Sequence, residues 1–461
     1  MNVYLIGIGG SAAAYLVDLA KAYDYKVSGS DAVESEAITA VRAKKIKVFV
    51  PHNPLAITDA IDEVWYSAAI TPHSAGYAEL AQAKFHGIPT LTFAQAAARF
   101  FNRAERRIAV AGTHGKSTTT AMVGWILEKA GLNPTVAVGA ELSVWNGNSR
   151  IGDPDLFVIE ADENARRFLE YRPTHAIVTN LDLDHFDTYP TEKGLVEAYG
   201  QFIQSTSQAL VINGHDERLR KAATNYKQQL LSYGVVSHHH KLDLSIESID
   251  QSGGESQSIR ALIRPLNVSL SLRVAGMHNL LNASAAILLC STLGVDPERA
   301  AHALSTFPGV ARRFEYIGHG QAGQEIRDDY GHHPVEIEAT LQGARQFYSD
   351  RPIVLIFQAH QAGRLRRLLD QTAAALAKAD QVILLPVYLV EGREDPEDVA
   401  LATSEALAKA AKAKGAKVEL AKDYESAAAL VKKIAPAKSL ILTMGATDVW
   451  KVSRMLVKKS S

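Results

Sequence analysis

Short apolar runs alternate with longer amphipathic stretches from one end of the chain to the other. The apolar runs at residues 3–6, 63–66 and 353–357 have the length of β-strands, and helical patterns lie between many such runs. Parallel strands need a crossover connection, which is usually a helix, so this alternation favours parallel sheets covered by helices. The sequence therefore predicts an α/β fold.

The alternation is interrupted at two places, which indicates three domains. A polar stretch at residues 101–107 follows the first set of strands, and Phe-Pro-Gly at residues 307–309 closes the second set. A chain of 461 residues is also too long for one hydrophobic core. We predict domains at residues 1–103, 104–311 and 312–461.

The pattern changes within the second of these domains, between residues 233 and 275. Short segments there alternate apolar and polar positions, as at residues 268–272, and this is typical of half-exposed strands. We expect a small β-rich part in this region. Three consecutive histidines at 238–240 lie within it, and a solvated loop is favoured there over a metal site because no ligand partner is nearby.

Composition and charge exclude several classes of partner. With 49 basic and 50 acidic residues the net charge is −1, so no basic field is available for nucleic acid or an anionic membrane. The sequence has no apolar run long enough to span a membrane, and it starts with a strand pattern instead of a signal peptide. The single cysteine, Cys290, excludes an internal disulfide. These features are typical of a cytoplasmic protein.

The strongest chemical signal follows the apolar run at residues 108–110. Residues 111–119 read Ala-Gly-Thr-His-Gly-Lys-Ser-Thr-Thr, which is a glycine-hinged loop between a strand and a helix. In such loops backbone amides turn toward phosphate oxygens, a lysine neutralises the β- and γ-phosphates, and a hydroxyl reaches Mg²⁺. Lys116 and Ser117 supply the last two groups, so the sequence predicts an ATP site.

A second glycine-rich turn lies near the N-terminus. Residues 7–12 read Gly-Ile-Gly-Gly-Ser-Ala, and Asp31 ends the next strand, which fits the dinucleotide fingerprint. Taken alone this turn indicates NAD, although any diphosphate can bind the same turn. Because the chain also carries an ATP loop, a UDP-linked substrate is the better interpretation. An NAD-dependent oxidoreductase is an alternative that leaves the ATP loop unexplained.

Acidic residues and a histidine follow two later strands of the second domain. Residues 158–163 read Val-Ile-Glu-Ala-Asp-Glu, and residues 179–187 read Thr-Asn-Leu-Asp-Leu-Asp-His-Phe-Asp. Carboxylates that face a phosphate loop provide the hard oxygen ligands that Mg²⁺ needs. A histidine at a strand end beside acids suits a second metal site or a substrate contact.

Taken in order, these motifs resemble those of the Mur ligases, the ATP-dependent amide-forming enzymes of peptidoglycan synthesis. The phosphate loop is similar to that family's loop, and residues 276–285 match its Gly-x-His-Asn-x-x-Asn-x-x-Ala segment. Residues 180–187 match its Asn-x-x-x-Asp-His-x-Asp run. The muramate–alanine branch is favoured by Asp-Asp-Tyr-Gly-His-His-Pro at residues 328–334 and by the absence of lysine at residues 197–201.

This resemblance implies a Rossmann-like N-terminal domain, a central P-loop ATPase domain and a Rossmann-like C-terminal domain. It also implies that ATP and Mg²⁺ are the cofactors and that UDP-N-acetylmuramate and L-alanine are the substrates. In the family, ATP phosphorylates the lactyl carboxylate, and the amine of the amino acid then attacks the acyl phosphate. The resemblance leaves open whether the chain is a monomer or a homodimer.

Residue roles follow from the matched motifs. The resemblance assigns catalysis to Lys116, His185, Arg313 and His332. It assigns ATP binding to Gly112, Thr113, His114, Gly115, Lys116, Ser117, Thr118, Asn279, Asn282, Arg313 and Asp329, with Asn279 and Asn282 at the adenine edge and Asp329 at the ribose. It assigns substrate binding to Gly7, Gly9, Gly10, Ser11, Asp31, Ser67, Tyr330, His332, His360 and Arg364. The metal ligands it implies are Ser117, Glu160 and His185.

Two segments depart from the family pattern. Residues 357–364 keep His360 and Arg364, but Gln361 and Ala362 replace an arginine and a tyrosine, so one positive charge near the substrate carboxylate is missing. Thr447 likewise replaces a glycine of a turn. Two alternatives stay open: a sibling ligase that adds a preformed tripeptide, and a non-catalytic nucleotide-binding paralogue.

Overall fold

A computed structural model describes residues 1–237, 241–252, 258–274, 276–390 and 394–458. The histidines at 238–240 lie outside the described residues, so the solvated loop expected there stays a prediction. The chain divides into two compact units. The first unit holds residues 1–247, 263–268 and 281–304, and the second holds residues 248–262, 269–280 and 305–461.

Strands and helices alternate along the chain. The strands are β1 (Asn2–Ile6), β2 (Lys26–Ser30), β3 (Lys47–Phe49), β4 (Glu63–Tyr66), β5 (Thr90–Thr92), β6 (Arg106–Ala111), β7 (Pro134–Leu142), β8 (Gly147–Arg150), β9 (Asp153–Glu160), β10 (His175–Val178), β11 (Ala209–Asn213), β12 (Gln229–Val235), β13 (Leu244–Ser252), β14 (Ser258–Arg264), β15 (Val268–Leu272), β16 (Glu315–His319), β17 (Glu325–Asp329), β18 (Ile353–Phe357), β19 (Gln381–Leu384), β20 (Val418–Leu420) and β21 (Leu440–Met444).

The helices follow the same chain order. They are α1 (Ser11–Ala22), α2 (Glu36–Ala43), α3 (Tyr77–Phe85), α4 (Phe93–Phe101), α5 (Lys116–Lys129), α6 (Glu192–Gln204), α7 (Glu217–Ala222), α8 (Met277–Thr292), α9 (Pro297–Leu304), α10 (Pro334–Phe347), α11 (Ala362–Leu376), α12 (Pro396–Leu401), α13 (Ser404–Ala413), α14 (Tyr424–Ile434) and α15 (Trp450–Leu456). Short 3-10 helices lie at Pro54–Ala56, Ser143–Trp145 and Asn164–Glu170.

The described strands form three sheets, in which most neighbours run parallel. The N-terminal sheet has the order β3-β2-β1-β4-β5, and the C-terminal sheet has the order β16-β17-β21-β18-β19-β20. Between them in sequence is a sheet of order β15-β14-β13-β12-β11-β10-β6-β9-β7-β8. The predicted α/β fold class is confirmed. The expected β-rich part corresponds to β12–β15, which continue the central sheet instead of forming a separate element.

A β-hairpin that the apolar pattern did not predict connects the first and second sheets within the first unit. Strands β7 and β8 pair antiparallel after α5. The Asn148 side chain donates to the Ser11 carbonyl oxygen at 2.7 Å, and the Ser149 hydroxyl donates to the Asp18 carboxylate at 2.7 Å. The hairpin therefore holds α1, the helix that follows the N-terminal glycine turn.

Aromatic side chains form a second connection within the first unit. Phe101, at the end of α4, is fully buried and meets Phe157 of β9 and Tyr171 with ring centroids 5.6 Å and 5.3 Å apart. Helix α4 and the central sheet thus share one hydrophobic core, because the ring of Phe101 packs between the rings of Phe157 and Tyr171.

Among the described helices, none combines the length and the apolar character needed to cross a bilayer.

Candidate active site

The phosphate-binding loop lies between β6 and α5, as the sequence predicted. Gly112 and Gly115 have φ angles of 129° and 80°, which side chains other than glycine rarely adopt. A Cβ atom on Gly112 would also collide with the side chain of Thr179, and one on Gly115 would lie 2.7 Å from the Asn282 amide oxygen. Glycine is therefore required at both hinges, for backbone conformation and for space.

The segment after β10 fixes the shape of this loop. The backbone amides of His114 and Asp182 donate to the side chains of Asn180 and Thr113, each at 2.9 Å. The His114 imidazole lies 3.1 Å from the Asp182 carboxylate, and the Thr179 hydroxyl donates to the His114 carbonyl oxygen at 2.6 Å. These contacts cross between two strand ends, so the loop is held in one shape before nucleotide arrives.

Lys116 is the buried cation of the loop. Its ammonium group donates to the Gly112 carbonyl oxygen and the Glu163 carboxylate, both at 2.7 Å, and to the Thr113 carbonyl oxygen at 3.1 Å. Burial alone would lower the pKa of Lys116, but the nearby carboxylates of Glu163 and Asp162 outweigh burial and raise it. Lys116 is therefore a charged lysine, and its ammonium group makes three hydrogen bonds within the site.

Two sets of metal-type ligands lie next to Lys116. The Ser117 hydroxyl donates to the Glu160 carboxylate at 3.1 Å, and the second oxygen of Glu160 accepts the Gly139 amide at 2.6 Å. Ligand atoms of Asp162, Glu163 and His185 all lie within 4.8 Å of one another. Carboxylate and hydroxyl oxygens are the donors that Mg²⁺ prefers, so the Ser117–Glu160 pair fits the predicted metal chemistry. The second set combines two carboxylates with an imidazole nitrogen.

Asp162 and Glu163 are functional candidates that the residue assignments did not include. Burial raises the pKa of Glu163, although Lys116 opposes this effect. Burial also acts to raise the pKa of Asp162, but Arg167, Lys116 and His185 outweigh burial and lower it. Both carboxylates were visible in the run after β9, but only the fold shows that they converge with His185.

His185 is held in place by an unusual backbone conformation. Its φ angle is 51°, in the left-handed region that few residues other than glycine adopt. The Asp184 carboxylate accepts the His185 amide at 2.7 Å, and the His185 imidazole lies 3.8 Å from the Glu163 carboxylate. Strained conformations of this kind cluster at functional sites.

The N-terminal glycine turn brings its predicted residues together. The Gly9 amide donates to the Asp31 carboxylate at 2.8 Å, and Gly10 donates to the Gly7 carbonyl oxygen at 3.1 Å. A Cβ atom on Gly7 would lie 3.1 Å from that of Ser67. Gly7, Gly9, Asp31 and Ser67 therefore share one corner, and Ser11 begins α1 beside it.

A buried polar network supports this corner and was not predicted. The fully buried Glu79 carboxylate accepts hydrogen bonds from the Tyr4 hydroxyl at 2.9 Å and the Ser30 hydroxyl at 2.5 Å, and it lies 3.1 Å from His52. Burial acts to raise the pKa of Glu79, but hydrogen bonds from His52, Ser30, Asn53 and Tyr4 outweigh burial and lower it. No local motif could reveal this network, because Tyr4 and Glu79 are far apart in sequence.

In the second unit, Asp329 is turned into the protein. Its two carboxylate oxygens accept the backbone amides of Phe314 and Gly331 at 2.8 Å and 2.7 Å. Burial raises the pKa of Asp329 to about 6, against the influence of Arg313. Both oxygens already have partners in the loop, so the ribose contact assigned to Asp329 stays a prediction.

Tyr330 and His332 lie next to two arginines. The guanidinium groups of Arg312 and Arg313 both lie 5.1 Å from the centre of the Tyr330 ring. The Arg313 guanidinium lies 3.9 Å from the Glu336 carboxylate, and Glu336 also accepts a hydrogen bond from the His332 backbone amide at 3.0 Å. The motif around Tyr330 and the arginine pair therefore meet in one place, which the sequence analysis did not predict.

The two departures from the family pattern have structural counterparts. Gln361 has a φ of 66° and a ψ of 123°, and Ala362, which begins α11, is fully buried. The Thr447 hydroxyl donates to the side-chain oxygen of buried Gln358 at 2.5 Å. The Thr447 change thus adds a hydrogen bond, whereas the changes at 361 and 362 leave His360 and Arg364 together, with ring and guanidinium nitrogens 3.4 Å apart.

The two predicted adenine-binding amides lie on α8. Asn279 and Asn282 are three positions apart in sequence, and both are buried. Asn282 lies against the phosphate loop at Gly115. Contact with adenine stays a prediction for both residues.

Three family models match successive parts of the chain. "Mur ligase family, catalytic domain" matches residues 2–105, "Mur ligase middle domain" matches 110–290, and "Mur ligase, glutamate ligase domain" matches 312–447. Curated relatives align over nearly the whole length. The UDP-N-acetylmuramate–L-alanine ligase of Agathobacter rectalis is 35% identical, with 100% of this chain and 98% of the relative covered.

The chain belongs to the Mur ligase family. The ligase of the same name from Desulforamulus reducens is also 35% identical, over 99% of this chain and 97% of its own length. The crystal structure of the UDP-N-acetylmuramate-alanine ligase from Thermotoga maritima superposes with a TM-score of 0.81 at 27% identity, covering 99% of this chain and 98% of that one. The predicted family and three-domain α/β fold are confirmed. The exact domain boundaries and residue roles stay predictions.

Proposed function

We propose that this chain is an ATP-dependent ligase that joins L-alanine to the lactyl carboxylate of UDP-N-acetylmuramate, giving ADP and phosphate, in the synthesis of peptidoglycan precursors in the cytoplasm. Relatives that carry this activity in their names align from end to end with the chain. The observation that carries the proposal is the charged Lys116, fixed in a glycine-hinged loop beside the Ser117–Glu160 pair.

In the first step of the proposed reaction, a lactyl carboxylate oxygen attacks the γ-phosphorus of ATP. The bond to the bridging oxygen breaks, and ADP leaves. Negative charge spreads over the phosphoryl oxygens, so catalysis consists mainly of positioning and of positive charge aimed at those oxygens. Lys116 supplies such a charge, and the loop amides between Gly112 and Lys116 supply further donors. Arg313 is assigned a similar role.

In the second step, the amine of L-alanine attacks the carbonyl carbon of the acyl phosphate. The carbon–oxygen bond breaks, and phosphate leaves with one oxygen of the former carboxylate. His332 is the residue to which we assign the proton that the nitrogen loses. Its ring lies beside Tyr330, with the imidazole nitrogen 3.2 Å from the Tyr330 carbonyl oxygen. Arg364 is assigned to the carboxylate of the amino acid.

Mg²⁺ belongs to the proposal as well. Ser117 and Glu160 would hold one ion, and His185 with Asp162 and Glu163 would hold another. When bound, such ions supply positive charge to phosphate oxygens. This role suits the donor sets, because both combine oxygen ligands with a position directly beside the phosphate loop.

The N-terminal glycine turn is proposed to hold the diphosphate of the UDP-sugar. The start of α1 offers backbone amides and a partial positive charge to an anion. The Asp31 carboxylate, which accepts the Gly9 amide, gives the turn its shape.

Phosphate release from ATP and Mg²⁺, with UDP-N-acetylmuramate present, tests the proposal. We expect release to require L-alanine and the product to gain the mass of one alanyl residue. Release that depends on a preformed tripeptide would keep the ligase chemistry and contradict the amino-acid assignment. Absence of release with any acceptor, combined with intact UDP-sugar binding, would identify the chain as a non-catalytic paralogue.

A further inference from the structure

An exposed tyrosine stands beside the predicted amino-acid site, in a segment to which no role has been assigned. Tyr388 follows β19 and is 45% exposed. Its ring nevertheless stacks on the ring of His360, with centroids 5.6 Å apart and the planes inclined by 13°. A large aromatic side chain that is both exposed and stacked on a site residue points to contact with a ligand.

The backbone holds Tyr388 in this position. The Tyr388 amide donates to the Ala359 carbonyl oxygen at 2.9 Å, and the Tyr388 carbonyl oxygen accepts the Gln361 amide at 2.9 Å. These two bonds form an isolated parallel bridge between His360 and Tyr388. The ring position is therefore set by main-chain pairing as well as by stacking.

The carboxylate of Glu394 ties the same segment to the helix that carries Arg364. It accepts the Val390 amide at 2.8 Å and the Ala362 amide, at the start of α11, at 3.0 Å. Gln361, which lies between His360 and the first residue of α11, has φ and ψ angles of 66° and 123°. A strained residue kept in place by surrounding bonds is typical of a functional site.

Topology places Tyr388 at the ligand-binding edge of the sheet. Strands β17 and β18 each pair in parallel with β21, and β19 pairs in parallel with β18. Tyr330, His360 and Tyr388 follow the carboxyl ends of β17, β18 and β19. Ligands of open parallel sheets bind outside the carboxyl ends of the strands. The rings form a continuous row, with centroids of Tyr330 and His332 5.8 Å apart and those of His332 and His360 6.2 Å apart.

The sequence change at position 362 removes an aromatic side chain next to this row of rings. Ala362 stands where the family pattern has a tyrosine, and it is fully buried at the start of α11. The neighbouring segment after β19 presents an exposed tyrosine to the same histidine. Tyr388 therefore supplies an aromatic surface beside His360 that position 362 cannot supply.

We propose that Tyr388, stacked on His360, is a specificity-determining residue that forms an aromatic wall of the amino-acid site and favours an acceptor with a small side chain. This inference rests on the proposed ligase function. The wall acts through its ring, which stacks on the ring of His360. Removing the ring would open the site toward larger side chains.

The test compares Tyr388→Ala, Tyr388→Phe and the control Tyr316→Ala in steady-state kinetics with L-alanine and L-valine as acceptors. Tyr316 is a matched control because it is 50% exposed in the same unit and meets a histidine, His319, at 5.6 Å. For Tyr388→Ala we expect KM for L-alanine to rise about tenfold, equivalent to about 1.4 kcal/mol, with KM for ATP unchanged. The preference for L-alanine over L-valine should fall by a similar factor of about ten.

Tyr388→Phe keeps the ring and should stay within about threefold of the wild type. Unchanged KM and preference in a folded Tyr388→Ala chain would overturn the inference and leave the ligase function intact. An equal effect from Tyr316→Ala, or an equal rise of KM for ATP, would assign Tyr388 a structural role and overturn it too. A wild-type chain that never uses an amino acid would overturn both proposals, since no acceptor would remain to be selected.

Discussion

The phosphate loop and the row of rings in the C-terminal sheet are built in opposite ways. Around the loop, buried charges and backbone hydrogen bonds leave little freedom, and the Lys116 ammonium alone donates three hydrogen bonds. In the row of rings, Tyr330 and Tyr388 are 36% and 45% exposed, and their rings contact neighbouring side chains through cation–π contacts and stacking. Tight enclosure suits the binding of a phosphate group, whereas a partly exposed aromatic surface suits contact with the side chain of an acceptor.

This difference predicts two kinds of mutational response. Changes at the loop should lower kcat, because charge there acts on the phosphoryl group during transfer. Changes at Tyr388 in the row of rings, or at Arg364 beside His360, should raise KM for the acceptor and leave KM for ATP intact. The substitutions below are ordered from the largest expected effect to the smallest.

Lys116→Ala removes the cation of the loop and leaves Glu163 buried without its partner. We expect kcat to fall by at least about 1000-fold, because a single well-placed cation contributes that much to phosphoryl transfer. Phosphate release in the presence of both substrates measures the loss. Lys129→Ala, at the exposed far end of the same helix, is the control and should retain wild-type activity. Substantial ligation by a folded Lys116→Ala chain would contradict the loop assignment.

Glu160→Gln keeps the shape of the side chain and removes its charge beside Ser117. We expect a loss of roughly 100-fold that higher Mg²⁺ partly restores, because a weakened ligand raises the metal concentration required. Titration of activity with Mg²⁺ checks this. Glu170→Gln, an exposed carboxylate at the end of the Asn164–Glu170 3-10 helix, should behave as wild type. A Mg²⁺ titration of Glu160→Gln that matched the wild type would argue against a metal at Glu160.

Arg364→Ala tests the prediction that changes near the row of rings affect binding of the acceptor. Loss of a charge-assisted hydrogen bond to the acceptor carboxylate should raise KM for L-alanine about tenfold, with kcat and KM for ATP close to wild type. Arg366→Ala is a matched control on the same helix, since Arg366 is paired with Glu397 and Asp398. A fall in kcat alone would place Arg364 with the phosphoryl-transfer machinery instead.

The smallest effect on activity is expected at His175, which lies in β10 next to the phosphate-loop strand. Burial, with a smaller contribution from Arg106, lowers its pKa to about 4 from an ordinary value of 6.5. Between these two pH values the unfolded chain binds more protons than the folded chain, so stability is complete above pH 6.5 and falls as the pH drops toward 4. The free energy of unfolding falls by at most about 3 kcal/mol over this pH range.

His175→Gln should flatten this dependence, which thermal unfolding at pH 7.5 and pH 5 would measure. The exposed His73 serves as the control, and His73→Gln should keep the wild-type dependence. An unchanged pH dependence in His175→Gln would show that another group controls acid unfolding of this region.

The two regions also differ in how far sequence alone could predict them. The loop from Gly112 to Ser117 is contiguous, so its chemistry could be predicted directly. Glu160 ends β9 and His185 follows β10, and the sequence analysis had placed both after strands of the second domain. The convergence of Asp162 and Glu163 with His185 depends on how the segments after two strands meet in the fold. The spacing of these residues along the sequence does not show it. The row of rings combines three distant segments, so Tyr388 became visible only when parallel strands brought it beside His360.

The hairpin of β7 and β8 and the network around Glu79 were missed for related reasons. The hairpin contains polar residues such as Asn148 and Ser149, which are buried because they contact α1, and an apolar pattern cannot show this. Glu79 reads as an ordinary helical surface residue in sequence, yet it is fully buried and satisfied by partners from three other segments. Buried polar contacts between distant segments are the part of this fold that local patterns do not encode.

The most direct test of the account uses UDP-N-acetylmuramate labelled with ¹⁸O in both lactyl carboxylate oxygens, together with ATP, Mg²⁺ and L-alanine. If the carboxylate is phosphorylated before the amine attacks, each phosphate released should carry one ¹⁸O, and the product should keep the other and gain one alanyl residue. Unlabelled phosphate, or labelled phosphate without an alanyl product, would contradict the proposed ligase reaction.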